Sequence, residues 1–259
     1  MPTVREVEKA LFELAPRELA QDWDNVGLLV GDPEGMVSAV LVALDVTETV
    51  AREAEELGAG LIVAHHPVMN CAWHPVQTIR EDDPQGRLLL RLIRSRTAAI
   101  CMHTNLDAAA GGVNDALAQA LGLAEVEPLG EDGIGRVGTL PEEMALSAFL
   151  PLVRQRLRPN GIRYVSAGRS VRRVAVGGGA CGEYALRALE LGCDTFVTAD
   201  IKYNGFLDAG ELGLNLLDAG HYPTENVVCP AVVRYLARCF PGLTIHPSAS
   251  HREAVQYYV

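Results

Sequence analysis

The chain contains no run of eighteen uninterrupted apolar residues, so it lacks the sequence signature of a membrane-spanning helix. No apolar stretch follows the charged start Met1-Pro2-Thr3-Val4-Arg5-Glu6, so a secretory leader is not expected and the cytoplasm is the expected compartment. The six cysteines (71, 101, 181, 193, 229, 239) include no CxxC pair. This excludes zinc-finger spacing and argues against a disulfide framework. Reduced thiols are expected, several of them buried in apolar patterns, as at Cys101 and Cys193. Basic residues are outnumbered, 22 Lys and Arg against 33 Asp and Glu, for a net charge of −11. General attraction to phosphate backbones is therefore disfavoured, and nucleic acid is not an expected partner. Aromatics make up only 5% and no low-complexity segment occurs.

What is present is an Ala-, Leu- and Val-rich chain of 259 residues, enough for one large domain or two lobes. Thr3-Val4-Arg5-Glu6 has the form of a capping box, and Val4, Val7, Leu11 and Leu14 recur at helical spacing. A polar loop from Gln21 to Gly31 then leads to an apolar strand, Ala39–Leu44. From there strands alternate with helices of ten to fifteen residues, which predicts βαβ units and a parallel or mixed sheet in each half. Glu125–Gly135, rich in acids, Gly and Pro, is the expected lobe boundary, and a helix near Glu142–Arg156 opens the second half. The expected division is a first lobe over 1–127, a second over 128–212 and a C-terminal segment over 213–259.

Three apolar strands are followed by imidazoles and carboxylates. His65-His66-Pro67 follows Leu61–Ala64, and His103-Thr104-Asn105-Leu106-Asp107 follows Ala98–Met102. Asp218-Ala219-Gly220-His221-Tyr222-Pro223-Thr224-Glu225 follows Leu214–Leu217. Residues just beyond the carboxyl ends of strands in an α/β sheet face a common crevice. Each piece has an ordinary alternative: a lone His-His pair is commonly structural, and Glu225 could serve only as an acid in a first helical turn. Taken together, hard and borderline ligands without a thiol suit Zn, Mn or Fe, and they suit a pair of ions better than one. Asp107 precedes small residues and no evident helix, whereas Asn114 or Asp115 is expected to cap the next helix. Asp45, after the strand Ala39–Leu44, either reaches the same crevice or caps a helix. His74, His246 and His251 have no ligand partners nearby in sequence and read as structural or surface residues.

A competing motif is Gly177-Gly178-Gly179-Ala180-Cys181-Gly182, which satisfies G-x-G-x-x-G after a strand, with Asp200 eighteen residues beyond Gly182. It is compatible with a dinucleotide oxidoreductase, with a phosphate contact at a helix N-terminus, or with a plain tight turn. The oxidoreductase reading leaves the imidazoles and carboxylates unexplained.

Several segments, in order along the chain, resemble the Nif-three-like family, the YbgI-type dinuclear metal-binding proteins often labelled GTP cyclohydrolase 1 type 2. They are Trp23–Leu28, Leu44–Thr47, His65–Pro67, His103–Asp107, Gly177–Ala180, Thr198–Asp200 and Asp218–Glu225. The match is to the short form, without an inserted middle domain. The resemblance implies an α/β fold of two similar lobes with mixed sheets flanked by helices. It implies His65, His66, Asp107, His221 and Glu225 as ligands of two divalent metal ions, with Glu225 bridging, the C-terminal segment returning to that site, and His103 close by as a proton carrier. It also implies a homohexameric ring and a metal-dependent hydrolase acting on a small nucleotide-like or phosphorylated heterocycle such as GTP. The alternative is a non-catalytic, chaperone-like or regulatory ring protein that binds metal. In one departure, Asn204 stands where many relatives have a histidine after the Thr-x-Asp aspartate.

Overall fold

The computed structural model describes residues 1–70 and 75–258. Cys71 and His74 lie outside the described residues. Residues 1–110 contain helices α1 (Val4–Leu14), α2 (Glu48–Leu57), α3 (Pro84–Ser95) and α4 (Thr104–Ala108), and strands β1 (Gly27–Val30), β2 (Ala39–Ala43), β3 (Leu61–Ala64) and β4 (Ala98–Cys101). Residues 111–228 hold α5 (Val113–Leu121), α6 (Leu146–Leu157), α7 (Ala185–Glu190), α8 (Tyr203–Glu211) and α9 (His221–Glu225). Their strands are β5 (Ala124–Pro128), β6 (Arg136–Met144), β7 (Arg163–Val165), β8 (Val171–Val176), β9 (Thr195–Thr198) and β10 (Asn215–Asp218). Last come α10 (Cys229–Cys239) and β11 (Thr244–Pro247). Contacts divide the chain into two units, 1–110 with 229–252, and 111–228 with 253–259.

The first unit is built on a five-stranded sheet in the order β1-β4-β3-β2-β11. Strands β4, β3, β2 and β11 run parallel, and β1 is antiparallel at the edge. Every residue of β2, β3 and β4 is buried, as their uninterrupted Ala, Val, Leu and Ile runs require of strands covered on both faces. Leu41, Ile62 and Ala99 point to one face, where they meet Val50 and Ala54 of α2 and Leu88, Leu89 and Leu92 of α3. Helix α10 packs on α1, β2 and β11. The Thr3–Glu6 capping box predicted for α1 is formed. Helix α2 starts on the Thr47 side chain, so Asp45 is not its cap.

The second unit carries a six-stranded mixed sheet, β5-β6-β8-β9-β10-β7, with β8, β9 and β10 parallel and the other pairings antiparallel. Alternation along the strands divides the core in two. Val174, Val176 and Leu217 face α5 and α6 with Leu117, Phe149 and Val153, while Ala175, Phe196 and Leu216 face α7 and α8 with Ala188 and Ala209.

Three stretches differ from the sequence reading. Gly27–Val30, read within a polar loop, is the edge strand β1, whose alternation is hidden by Gly at its start and by partial exposure. The Glu125–Gly135 boundary segment contains most of β5, and the helix expected from Glu142 begins only at Leu146, because β6 extends to Met144. Five exposed residues in β5 and four exposed or half-exposed ones at the end of β6 give no period-two signal. Among the described cysteines, 101, 181, 193 and 229 are buried and Cys239 is exposed.

Candidate metal centre

In the first unit the candidate ligands sit where β3 and β4 end. The backbone N–H groups of His65 and His66 both donate to the Leu44 carbonyl at 3.0 Å, which pins the exit of β3 to the end of β2. The chain turns there, so the two adjacent rings lie 4.8 Å apart between centroids instead of on opposite sides of a strand. His65 Nδ1 is 2.8 Å from the Met102 carbonyl oxygen, His66 Nδ1 is 2.7 Å from Asp45 Oδ1, and His103 Nδ1 is 2.8 Å from Asp24 Oδ1. An oxygen acceptor at each Nδ1 fixes the proton there and leaves the Nε2 lone pair for an electrophile. His65, His66 and His103 can each offer a ligand atom such that all three lie within 4.8 Å of one another. Asp107 Oδ1 lies 3.6 Å from His65 Nε2.

The supporting carboxylates are strongly ionised. Burial opposes charge on Asp24, but hydrogen bonds from His103 and Thr104 more than reverse this and hold its carboxyl at about 2. Thr104 supplies both its backbone N–H, at 3.0 Å, and its hydroxyl, at 2.5 Å. Asp45 is likewise held far below the carboxylate range, its burial outweighed by His251 and His66.

In the second unit β9 runs into Asp200, whose backbone is left-handed at φ 54°. Asp tolerates this conformation better than most residues. Its Oδ2 lies 2.6 Å from His221 Nδ1, repeating the carboxylate–imidazole pattern of the first unit. His221 Nε2 is 3.0 Å from Glu225 Oε2, the two residues being four apart on the single turn of α9. Burial alone would favour a neutral imidazole, but the Glu225 and Asp200 carboxylates push His221 up to about 11. The same negative field attracts a cation.

The glycine run is explained by this pair. At Gly179, φ is 65°, and a Cβ there would overlap Glu225 Oε1 and sit 3.0 Å from His221 Nε2. Gly178 N–H donates to the buried Asn114 Oδ1 at 2.9 Å, and Gly179 N–H to Thr224 Oγ1 at 3.0 Å. The turn thus lies directly against His221 and Glu225. Only a short 3-10 turn and the six-residue α7 follow it.

The structure brings together His65, His66, His103 and Asp107 in the first unit, and His221 with Glu225 in the second. Asp107, which the sequence shows preceding no evident helix, lies in the one-turn helix α4. The N-cap residue of α5 is Gly112, while Asp115 in its first turn accepts the Gly111 N–H at 2.6 Å and the Arg136 guanidinium at 2.6 Å, and Asn114 holds the glycine turn. Asp24, Asp45 and Asp200, to which the sequence assigns no settled role, each place a carboxylate oxygen against an imidazole Nδ1. His251, read as structural or surface, is buried and lies 3.1 Å from Asp45 Oδ2. Asn204 lies in α8, on the wall of a cavity of about 800 Å³ beside Asp200.

Residues 2–253 match the family model described as Duf34/NIF3 (NGG1p interacting factor 3). The chain belongs to the DUF34/NIF3 family. A GTP cyclohydrolase 1 type 2 homolog of Clostridium perfringens is 35% identical over 229 residues, covering 86% of each chain. A protein of the same name from Streptomyces coelicolor is 38% identical over 237 residues, covering 87% of this chain and 82% of its own. Among solved structures, a Bacillus cereus protein related to NIF3 superposes with a TM-score of 0.93 at 27% identity, covering 100% of this chain and 99% of that one. The α/β fold with two mixed, helix-flanked sheets is thus the fold of NIF3-related proteins. The donor chemistry of this DUF34/NIF3 chain fits divalent metal: imidazoles with Nδ1 already engaged, and carboxylates beside them.

Proposed function

We propose that this DUF34/NIF3 protein binds two divalent ions through His65, His66, Asp107, His221 and Glu225, and is a metal-dependent hydrolase of a nucleotide-like or phosphorylated heterocycle. The observation that carries the reading is the shared arrangement of four imidazoles, each with Nδ1 held by an oxygen acceptor, three of them carboxylates. Buried histidines with a purely structural role have no need of this uniform orientation, whereas metal-ligating histidines do. When bound, the ions would supply Lewis acidity toward a carbonyl or phosphoryl oxygen and acidify water. The role of Asp45 and Asp200 is to orient the His66 and His221 rings through Nδ1. The Asp24–His103 pair has the geometry of a proton carrier, a carboxylate oxygen lying 2.8 Å from Nδ1 of an imidazole beside the proposed ligands. The name borne by the relatives makes GTP the first substrate to try. A homohexameric ring of such chains, around metal centres, is the assembly we infer from the family.

The test is metal content per chain after purification without chelator or metal-affinity resin, for the native protein and Glu225→Ala. About two ions are expected in the native protein, with loss in the variant. Full occupancy in Glu225→Ala would remove Glu225 from the ligand set. Full occupancy of the native protein with no turnover of GTP or a wider nucleotide panel would favour the chaperone-like or regulatory reading.

A further inference from the structure

Among the described residues of the first unit, His251 stands out as a histidine outside the proposed ligand set that is nevertheless joined to it. It is 9% exposed, and its Nε2 lies 3.1 Å from Asp45 Oδ2, while Asp45 Oδ1 lies 2.7 Å from His66 Nδ1. One carboxylate therefore has an imidazole on each oxygen. The segment that delivers His251 is itself tightly fixed. Strand β11 runs parallel to β2 with Pro247 opposite Val42, and Ser248 N–H extends the ladder to the Val42 carbonyl at 2.8 Å. Beyond the strand, Glu53 of α2 accepts the Ser248 and Ser250 hydroxyls at 2.5 and 2.6 Å and the Ala249 and Ser250 N–H groups at 2.7 and 3.2 Å. Ser248 Oγ in turn accepts the His251 N–H at 3.1 Å. The turn at 248–251 is thus bonded to α2 on one side and delivers an imidazole to Asp45 on the other.

We infer that His251 is a positioning residue of the metal centre: by occupying Oδ2 it locks the Asp45 carboxylate so that Oδ1 stays on His66 Nδ1 and His66 Nε2 stays aimed at the ion. The inference rests on the metal-binding reading of His66. A carboxylate engaged at one oxygen only can rotate about its last torsion, and the ring it supports then samples several orientations, each with a weaker grip on the ion. The half-exposed Asp45 has no other described anchor on that oxygen.

The experiment is Co(II) affinity, by competition with a chromophoric chelator, together with the visible ligand-field spectrum of the Co(II) protein. The variants are His251→Ala, His251→Phe and His251→Gln. His251→Ala is expected to weaken Co(II) binding about tenfold and alter the spectrum. His251→Phe keeps the ring volume without the donor and should show the same loss, while His251→Gln, which restores an N–H donor, should recover most of the affinity. In an Asp45→Ala background, His251→Ala should add no further loss, since its effect passes through Asp45. Native affinity and spectrum in His251→Phe, or additive losses in the double variant, overturn the inference while leaving the metal reading intact. A native protein that takes up no Co(II) overturns both.

Discussion

At the residue scale, an identical histidine has a different consequence depending on what faces its Nδ1. His103 shares the geometry of His65 and His66, but its partner Asp24 is the most fully enclosed of the supporting carboxylates, with no exposed side-chain surface. As a proton carrier, His103 should be dispensable for the metal. His103→Ala is expected to keep its ions while turnover of an active substrate falls by about 10²–10⁴-fold; loss of metal in this variant would place His103 among the ligands. Gly179 makes the opposite case, a residue important for having no side chain. Gly179→Ala should cost about 1–2 kcal/mol for the left-handed backbone alone. It should also displace Glu225 and His221, so metal content and unfolding free energy are expected to fall together. A Gly179→Ala protein with native metal content would mean that the His221–Glu225 pair tolerates displacement.

At the element scale, α2 does more than cover the sheet. Its Glu53 gathers the turn after β11, and burial of the carboxylate, which opposes ionisation, is outweighed by hydrogen bonds from Ser248, Ala249 and Ser250 that lower its pKa from 4.5. A depressed folded pKa contributes stability that is present above the unfolded value near 4.5 and is lost as pH falls through the lower folded value. The Tm difference between native protein and Glu53→Gln should therefore be largest above pH 5 and shrink on acidification below it. A difference independent of pH would assign the effect to packing. The elements also show which patterns reach the surface of a sequence. Strands β2, β3 and β4 are legible because both faces are buried and their composition is uniformly apolar. Strands β1 and β5 lie at sheet edges, where exposure removes the apolar signal, and the short α4 and α9 hold too few turns to display a helical period.

At the scale of the whole molecule, the chain leaves the first unit after Ala110 and returns to it at Cys229. The return supplies α10 and the strand beside β2. A chain ending at Val228 should leave β2, whose five residues are all buried, as an open hydrophobic edge. Such a truncation is expected to lose slow hydrogen exchange in β2 and β3 and to aggregate; retained protection in both strands would show that the sheet is stable without β11. The described residues include no helix long and apolar enough to cross a membrane.

The sequence alone determined the alternation of apolar strands and helices, and the imidazoles and carboxylates placed just past strand ends. Both are local properties: burial on two faces shows in composition, and chemistry-bearing residues stand out wherever a strand stops. Tertiary structure alone decided which oxygen faces each Nδ1, that Gly179 is small because Glu225 and His221 lie against it, and that His251 reaches Asp45. Asp24 meets His103 across 79 positions and His251 meets Asp45 across more than two hundred. Contacts over such separations are set by strand order and register, which no local periodicity encodes.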